Sequence, residues 1–493
     1  MIDPQYLLTD EQMRDFIVDG YVVLRSSLPA SFHQQIYDRT LQVFEDEGNP
    51  GNNILPRVPQ LRHVFDDPSV RGALTSVLGP DYIMHSHRHC HINQGKSEGG
   101  GIHKDSYWGY RKTRSHRNRW AMIFYYPQDC PAQIGPTGVV DGTHTYESKA
   151  AWEPIRDPHP LTGDAGTLVL VHFDLWHRAF PNLTDKTRFM MKFQFTRMAD
   201  PVAPSWNHQS AEFPGGNGAG VRHRNLWTQV WDWHRGAKTT PVADGQLAEA
   251  VARLGDEDPQ QRVWAADAIG THGPAGLAHV DALVSALHDD YEPVRLNAAY
   301  ALGLIGGKAL DALTDSLDEE EEGCALAAGY GLTAAGIKAL PHLAQACGAQ
   351  TAQARTLAAF ASGELGALVN PATAGAVADL VTDDEVATRC NTAEALGTMT
   401  AHSGVAVPAL TKLLADDDGQ TRFNAAYSLA RHGAQAAPAL DALVTALDDE
   451  NRYVRNHSAQ ALQRIGTPAA MGALYDFLNV ARWCPITSKD STF

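Results

Sequence analysis

Gly101-Ile102-His103-Lys104-Asp105, read together with His177 and with Arg188 eleven residues beyond it, decides the fold of the first half of this chain. His103 and Asp105 are two apart, so on a strand they share one face. His177 lies on a second apolar run and closes a triad from another strand. Two histidines and one carboxylate on one face of a metal leave three cis positions open, which suits non-haem Fe(II) holding a bidentate co-substrate and O2. Arg188 supplies a planar cationic fork suited to the distal carboxylate of 2-oxoglutarate. An H-x-D pair alone is a weak signal; the order and spacing of all four residues make it strong.

The segments around these residues read as short strands. Between Asp81 and Met198, apolar or alternating runs are separated by Gly, Pro and Asp clusters, the pattern of an antiparallel sandwich. The clearest strands are Tyr82 to Ile92, Arg119 to Tyr126, Thr167 to Phe173 and Arg188 to Arg197. Ahead of them, residues 5–18 read as an amphipathic helix with Thr9 and Gln12 placed as a capping box. A strand at Tyr21 to Leu24 and a helix at Ser31 to Glu47 follow. A double-stranded β-helix of the jelly-roll or cupin type, with flanking helices, is expected.

From about Gly245 the chain turns Ala/Leu-rich and repetitive. Arg262 and Arg295 are 33 apart, as are Arg389, Arg422 and Arg455, each followed by a similar Ala-rich phrase. Such a period, with two short helices per unit, predicts an all-α solenoid of about seven repeats, two of them degenerate between Arg295 and Arg389. The expected domains are 1–240, including a linker from Val202 to Asp244, then 241–480, then a tail at 481–493.

Charge divides the chain at the same place. Residues 1–240 hold 25 basic and 25 acidic side chains, so the remaining 15 and 32 carry the whole net charge of −17. An acidic surface of that size repels nucleic acid and anionic membrane and concentrates cations. The six cysteines lack C-x-x-C pairing, which points away from zinc and disulfide frameworks and toward a reducing cytoplasm. Neither a leader pattern nor an apolar run of the ~18 residues a membrane span needs is expected.

The first half resembles the phytanoyl-CoA dioxygenase-like family of Fe(II)/2-oxoglutarate oxygenases over roughly residues 5 to 200. Beyond the triad, the resemblance rests on Leu8 to Gln12 and Asp19 to Leu24, on Gly135-Pro136-Thr137-Gly138-Val139-Val140-Asp141-Gly142-Thr143-His144, and on Gly163 to Leu170 with Pro181-Asn182. It implies iron held by His103, Asp105 and His177, with 2-oxoglutarate clamped by Arg188 and O2 as oxidant. It also implies Trp120 lining the co-substrate pocket and Asn93 touching the co-substrate. Related halogenases replace the carboxylate, so Asp105 favours oxygenation. The second half resembles HEAT-like repeats of the phycobilisome-lyase type.

Other polar features are weighed against plainer readings. His85, His87, His89 and His91 alternate on one strand, which cannot wrap four ligands around a single ion; one or two, His91 foremost, are expected to face substrate. Tyr107, Trp108 and Tyr110 follow Asp105 directly and are expected over the iron, or packed in a loop. The Arg and Asn pairs Arg295/Asn297, Arg389/Asn391 and Arg422/Asn424 read as structural caps between repeats.

The chain is thus expected to be an Fe(II)/2-oxoglutarate-dependent dioxygenase that hydroxylates or oxidatively cyclises a small, hydroxyl-rich, neutral or cationic metabolite, giving succinate and CO2. An aminoglycoside-type antibiotic precursor fits; a CoA thioester is disfavoured because no Lys/Arg cluster awaits its phosphates. The rivals are a peptide or protein hydroxylase that grips its target with the solenoid, and a non-catalytic HEAT scaffold with a protein partner.

Overall fold

The reciprocal cap at Thr9 forms, with Gln12 N–H donating to Thr9 Oγ1 at 3.2 Å and Thr9 N–H to Gln12 Oε1 at 3.0 Å, and it starts the helix Asp10–Val18. The computed structural model describes residues 2–105, 113–153, 156–215, 222–243 and 245–480. Among the described residues, eight strands follow the first helix: β1 Tyr21–Arg25, β2 Tyr82–Asn93, β3 Trp120–Tyr126, β4 Thr137–Val139, β5 His159–Pro160, β6 Thr167–His172, β7 His177–Ala179 and β8 Arg188–Arg197. They build two antiparallel sheets, ordered β1-β6-β3-β8-β2 and β5-β4-β7. Of the stretch Gly101 to Asp105, expected as a strand, only His103 pairs, through a bridge to His177. Three consecutive glycines, Gly99 to Gly101, precede it and disfavour a longer ladder.

Strand β8 shows how the sequence places the site. All ten of its residues are buried, so both faces are covered. One face presents Phe189, Met191, Phe193 and Phe195 to the helices Ala30–Glu47 and Leu61–Asp66, where Phe193 meets Phe65 at 4.2 Å and Phe189 meets Phe44 at 5.2 Å. These rings contribute ~1.5–3 kcal/mol each by burial and fix which face turns outward. The alternate residues Arg188, Met190, Lys192, Gln194 and Thr196 therefore line the inner face.

The C-terminal half is the expected stack of paired helices, seven pairs from Pro259–Thr271 with Val280–Ala286 to Arg452–Ile465 with Pro468–Val480. The Arg residues of the repeat form a ladder. Arg262, Arg355, Arg389 and Arg422 each grip Asp289, Asp383, Asp416 and Asp449 of the next unit through two guanidinium bonds. Each also donates to backbone carbonyls five and six residues upstream, as Arg422 does to Asp417 and Asp416. Asn297 and Asn424 tie their helices to Val263 and Cys390 carbonyls. These pairs are structural, and they neutralise four of the aspartates that make the solenoid acidic. The stretch Glu322–Ala346 reaches membrane-spanning length and apolarity, but its most apolar window is 56% buried in the repeat stack.

The two halves are joined by polar contacts. Arg119 reaches both Asp200 (2.5 Å) and Glu364 (3.4 Å), and Arg464 grips Asp81 with two bonds of 2.8 and 2.7 Å. Glu292 of the solenoid accepts from the N–H groups of Glu147 and Ser148. The helix Arg224–His234, inside the expected linker, is itself part of this junction, its Asn225 bonded to Asp267. The expected tail at 481–493 lies outside the described residues.

Candidate active site

His103 and His177 exchange both backbone hydrogen bonds at 2.9 Å, which sets their side chains on one face with ring centroids 4.5 Å apart. Each ring is then held by its own Nδ1–H, donated to the carbonyl of Gly101 or Leu175, both at 2.9 Å. That fixes the tautomer and leaves both Nε2 lone pairs available, as metal-binding imidazoles require. Burial, against the pull of Asp105, lowers the His177 pKa to about 4, so this ring is neutral near pH 7. Asp105 brings a carboxylate oxygen to 3.8 Å from His177 Nε2. One atom from each of the three residues lies within 4.8 Å of the others, so the donor set fits a single ion at one face.

Lys192, which sequence reasoning missed, completes this site. Its Nζ lies 2.8 Å from both oxygens of Asp105, and lysine and aspartate are only 4% and 7% exposed. Burial pushes the Asp105 carboxyl up, but the Lys192 ammonium, followed by His177, outweighs it and holds the group at about 2. The signal was present in β8, whose inner positions alternate Arg188, Met190, Lys192, Gln194: a lysine two pleats from Arg188 lies on the same face of the strand. Phe124, opposite Lys192 in the sheet, packs 5.8 Å from His177 and keeps that wall apolar.

Arg188 is 1% exposed and donates through Nε and Nη2 to the Gly135 carbonyl at 3.0 and 2.8 Å. Among the described residues Nη1 has no bond, so the fork retains a donor. Gly135 is left-handed (φ 72°), and a Cβ there would stand 2.3 Å from Asn93 Nδ2. Only glycine lets this carbonyl approach so closely. Asn93 sits opposite Arg188, but its amide nitrogen donates to the carbonyls of Gly135 and Phe180, at 2.9 and 3.0 Å. Its observed contacts tie down the Gly135 carbonyl that Arg188 also grips.

The structure does not bring Trp120 to this end of the barrel. It pairs with Thr196, eight residues along β8 from Arg188, or about 26 Å of strand. There it packs against His85 (5.4 Å) and Tyr427 (5.4 Å) at the junction with the solenoid, which corrects the expectation of a co-substrate contact. The four histidines of β2 divide because the register shifts between Met84 and Arg88. His85 stacks on Tyr453 and His457, and His87 bonds Tyr453 Oη at 2.9 Å. His91 stays on the inner face opposite Met190, its buried Nε2 without a partner among the described residues. Burial, then Lys192, lowers it to about 2, so the ring is neutral. Tyr107, Trp108 and Tyr110 lie outside the described residues.

With this geometry in place, comparison defines the class. Residues 18–190 match the family model described as Phytanoyl-CoA dioxygenase (PhyH), and residues 247–333 and 407–483 match HEAT repeats. The first half is thus a phytanoyl-CoA dioxygenase family domain, in the class of Fe(II)/2-oxoglutarate-dependent dioxygenases, joined to a HEAT-repeat solenoid. No significant match is found among curated proteins. Similar solved structures include SnoK, a non-heme alpha-ketoglutarate-dependent carbocyclase from nogalamycin biosynthesis, with 19% identity, covering 39% of this chain and 85% of that one, at a TM-score of 0.33. They also include EctD from S. alaskensis with 2-oxoglutarate and 5-hydroxyectoine (15% identity, 39% and 77% covered, TM-score 0.34). SnoN, an epimerase from the same nogalamycin biosynthesis, aligns at 16% identity over 48% of this chain and 94% of its own, at a TM-score of 0.34.

Proposed function

We propose that this protein oxidises a small, hydroxyl-rich, amine-bearing metabolite of the aminoglycoside type, by hydroxylation or oxidative ring closure. The observation that carries the reading is the convergence of His103, His177 and Asp105 on one face inside a barrel that also buries Arg188 and Lys192. Iron and 2-oxoglutarate, when bound, supply the oxidising chemistry, using O2 and releasing succinate and CO2.

The protein's own share is positioning. The two Nε2 atoms and an Asp105 oxygen would hold the metal, while Lys192, bonded to the carboxylate, orients it. Arg188 takes the far carboxylate of 2-oxoglutarate. His91 offers an unengaged ring nitrogen to substrate or co-substrate, and Phe124 excludes water. Solenoid residues Tyr427, Tyr453 and Glu364 are engaged with the oxygenase domain and so are withdrawn from a protein target, which favours a small substrate. Arg188→Ala should weaken 2-oxoglutarate by roughly thirtyfold to several thousandfold, since losing one member of a buried charge pair costs ~2–5 kcal/mol, with iron affinity little changed. Unchanged affinity would assign the clamp to another residue.

The substrate class is tested by succinate release from iron-loaded protein given 2-oxoglutarate with an aminosugar, a neutral sugar or an acyl-CoA. Stimulation by the aminosugar is expected; stimulation by acyl-CoA alone would refute the substrate reading.

A further inference from the structure

The inner face of β8 meets the solenoid as well as the metal ligands. Tyr427 Oη bonds Thr196 Oγ1 at 2.6 Å, and Thr196 is four residues, about 13 Å of strand, from the Lys192 that holds Asp105. The neighbouring strand β2 lines the same stretch with imidazoles. His89 stands directly opposite Lys192, and His91 opposite Met190; side chains paired this way lie about 5 Å apart on one face. His87 continues the row, its ring tilted only 14° from that of His89 at 6.3 Å, and His89 meets His91 at 4.7 Å. All three are half-buried, and the buried Nε2 of His91 has no partner among the described residues.

The row also feels the charges of the metal site. Burial first, then Lys192, against the pull of Asp105, lowers the His87 pKa to about 4. The ring is therefore neutral near pH 7 and carries a single proton, whose position decides what it offers a ligand.

That position is set from the solenoid. The register of β2 slips between Met84 and Arg88, a bulge that aims His87 at the helix Arg452–Ile465 of the last repeat. There its Nδ1 lies 2.9 Å from Tyr453 Oη. The same oxygen accepts from Arg452 Nη2 at 3.2 Å and from Asn52 Nδ2 at 3.4 Å. The Asn52 amide is oriented by its own oxygen, which accepts the Arg88 N–H at 3.3 Å. Two donors already point at the phenol oxygen, so its own proton goes to His87 Nδ1, and the ring proton sits on Nε2. His103 and His177 are fixed the opposite way, with Nδ1–H given to a carbonyl and Nε2 open to a metal. The same residue type is thus set as a ligand in one place and as a hydrogen-bond donor in the other.

We infer that Tyr453 is a positioning residue of the oxygenase site: from the solenoid it fixes the His87 proton on Nε2, so that His87, His89 and His91 form a neutral, hydroxyl-reading wall of the substrate cavity. A row of neutral imidazoles suits a polyol, whose hydroxyls both donate and accept, and offers no countercharge to a carboxylate or phosphate. The inference rests on the proposed hydroxyl-rich substrate, whereas the proton placement exists without any ligand.

The test has two readouts on the full chain. In NMR spectra of the metal-free protein labelled at its histidine ring nitrogens, the signals lost in His87→Gln should show the Nε2–H tautomer, and in Tyr453→Phe they should move to a mixture of both tautomers. Calorimetric titration of the anaerobic chain, loaded with Fe(II) and 2-oxoglutarate, with neamine, a two-ring aminosugar, should show Tyr453→Phe binding it roughly fivefold to tenfold more weakly, the scale of one hydrogen bond. His87→Leu, which removes the ring itself, should weaken neamine at least as much, and both variants should keep the parent's iron content and 2-oxoglutarate affinity. A tyrosine that merely buttressed the junction would lower the thermal midpoint without moving the His87 signals or the neamine affinity. An Nδ1–H tautomer in the parent, His87 signals unchanged in Tyr453→Phe, or equal neamine affinity in the parent and both variants would overturn the inference. A parent that binds no neamine while its His87 signals behave as expected would instead overturn the substrate class on which the role of the wall rests.

Discussion

His177→Ala should abolish iron binding and turnover while the barrel still folds. The backbone bonds that pair His177 with His103 survive the substitution, so β7 keeps its register, but the buried Nε2 is gone. What remains is an exposed His103 and an Asp105 already engaged by Lys192, two donors where a facial site needs three. Losing a supporting group outside the metal shell typically costs ~10–100-fold in affinity, and loss of a direct ligand should exceed that. Metal content measured after desalting should fall to background with the circular dichroism unchanged. Retention of stoichiometric iron with full activity would remove His177 from the site.

The second large effect is expected at Lys192. Lys192→Met leaves Asp105 buried and unpaired in the metal-free protein, and breaking a buried pair by removing one member costs ~3–5 kcal/mol. Asp105→Asn added to it should recover most of that loss, because the uncompensated charge disappears with it. A saturating divalent cation should stabilise Lys192→Met more than it stabilises the parent, since the metal takes over the charge the ammonium had balanced. Urea unfolding of the three proteins, with and without Co(II), measures all three effects. An unchanged unfolding midpoint in metal-free Lys192→Met would show that the pair contributes no stability.

How far the sequence reached is clear at particular residues. The bounds of β8 were legible because its alternation runs unbroken from Arg188 to Arg197, and the period of 33 between arginines was enough to count seven helix pairs. The candidate triad was legible in the order and spacing of His103, Asp105 and His177, which the structure brings within 4.8 Å of one another, although only His103 pairs as a strand residue. Lys192 was not read, although the same alternation placed it inward; an apolar strand with one lysine looks like an edge until its partners on both sides are known.

Trp120 was assigned to the wrong end because a strand read in isolation has no distance along its neighbour. The partners of His85 and His87 could not be inferred, since His87 meets Tyr453 across 366 residues of chain and nothing local encodes that contact. The clefts and junctions between the two halves belong to this same class of long-range information.

The central claim, that one metal and 2-oxoglutarate share the face defined by His103, Asp105 and His177, is tested most directly by anaerobic titration with Fe(II) and 2-oxoglutarate under visible spectroscopy. A weak charge-transfer band should appear only when both are present, saturate at one iron per chain, and be absent in His177→Ala. A protein that binds neither, or a band of equal strength in His177→Ala, would contradict the account.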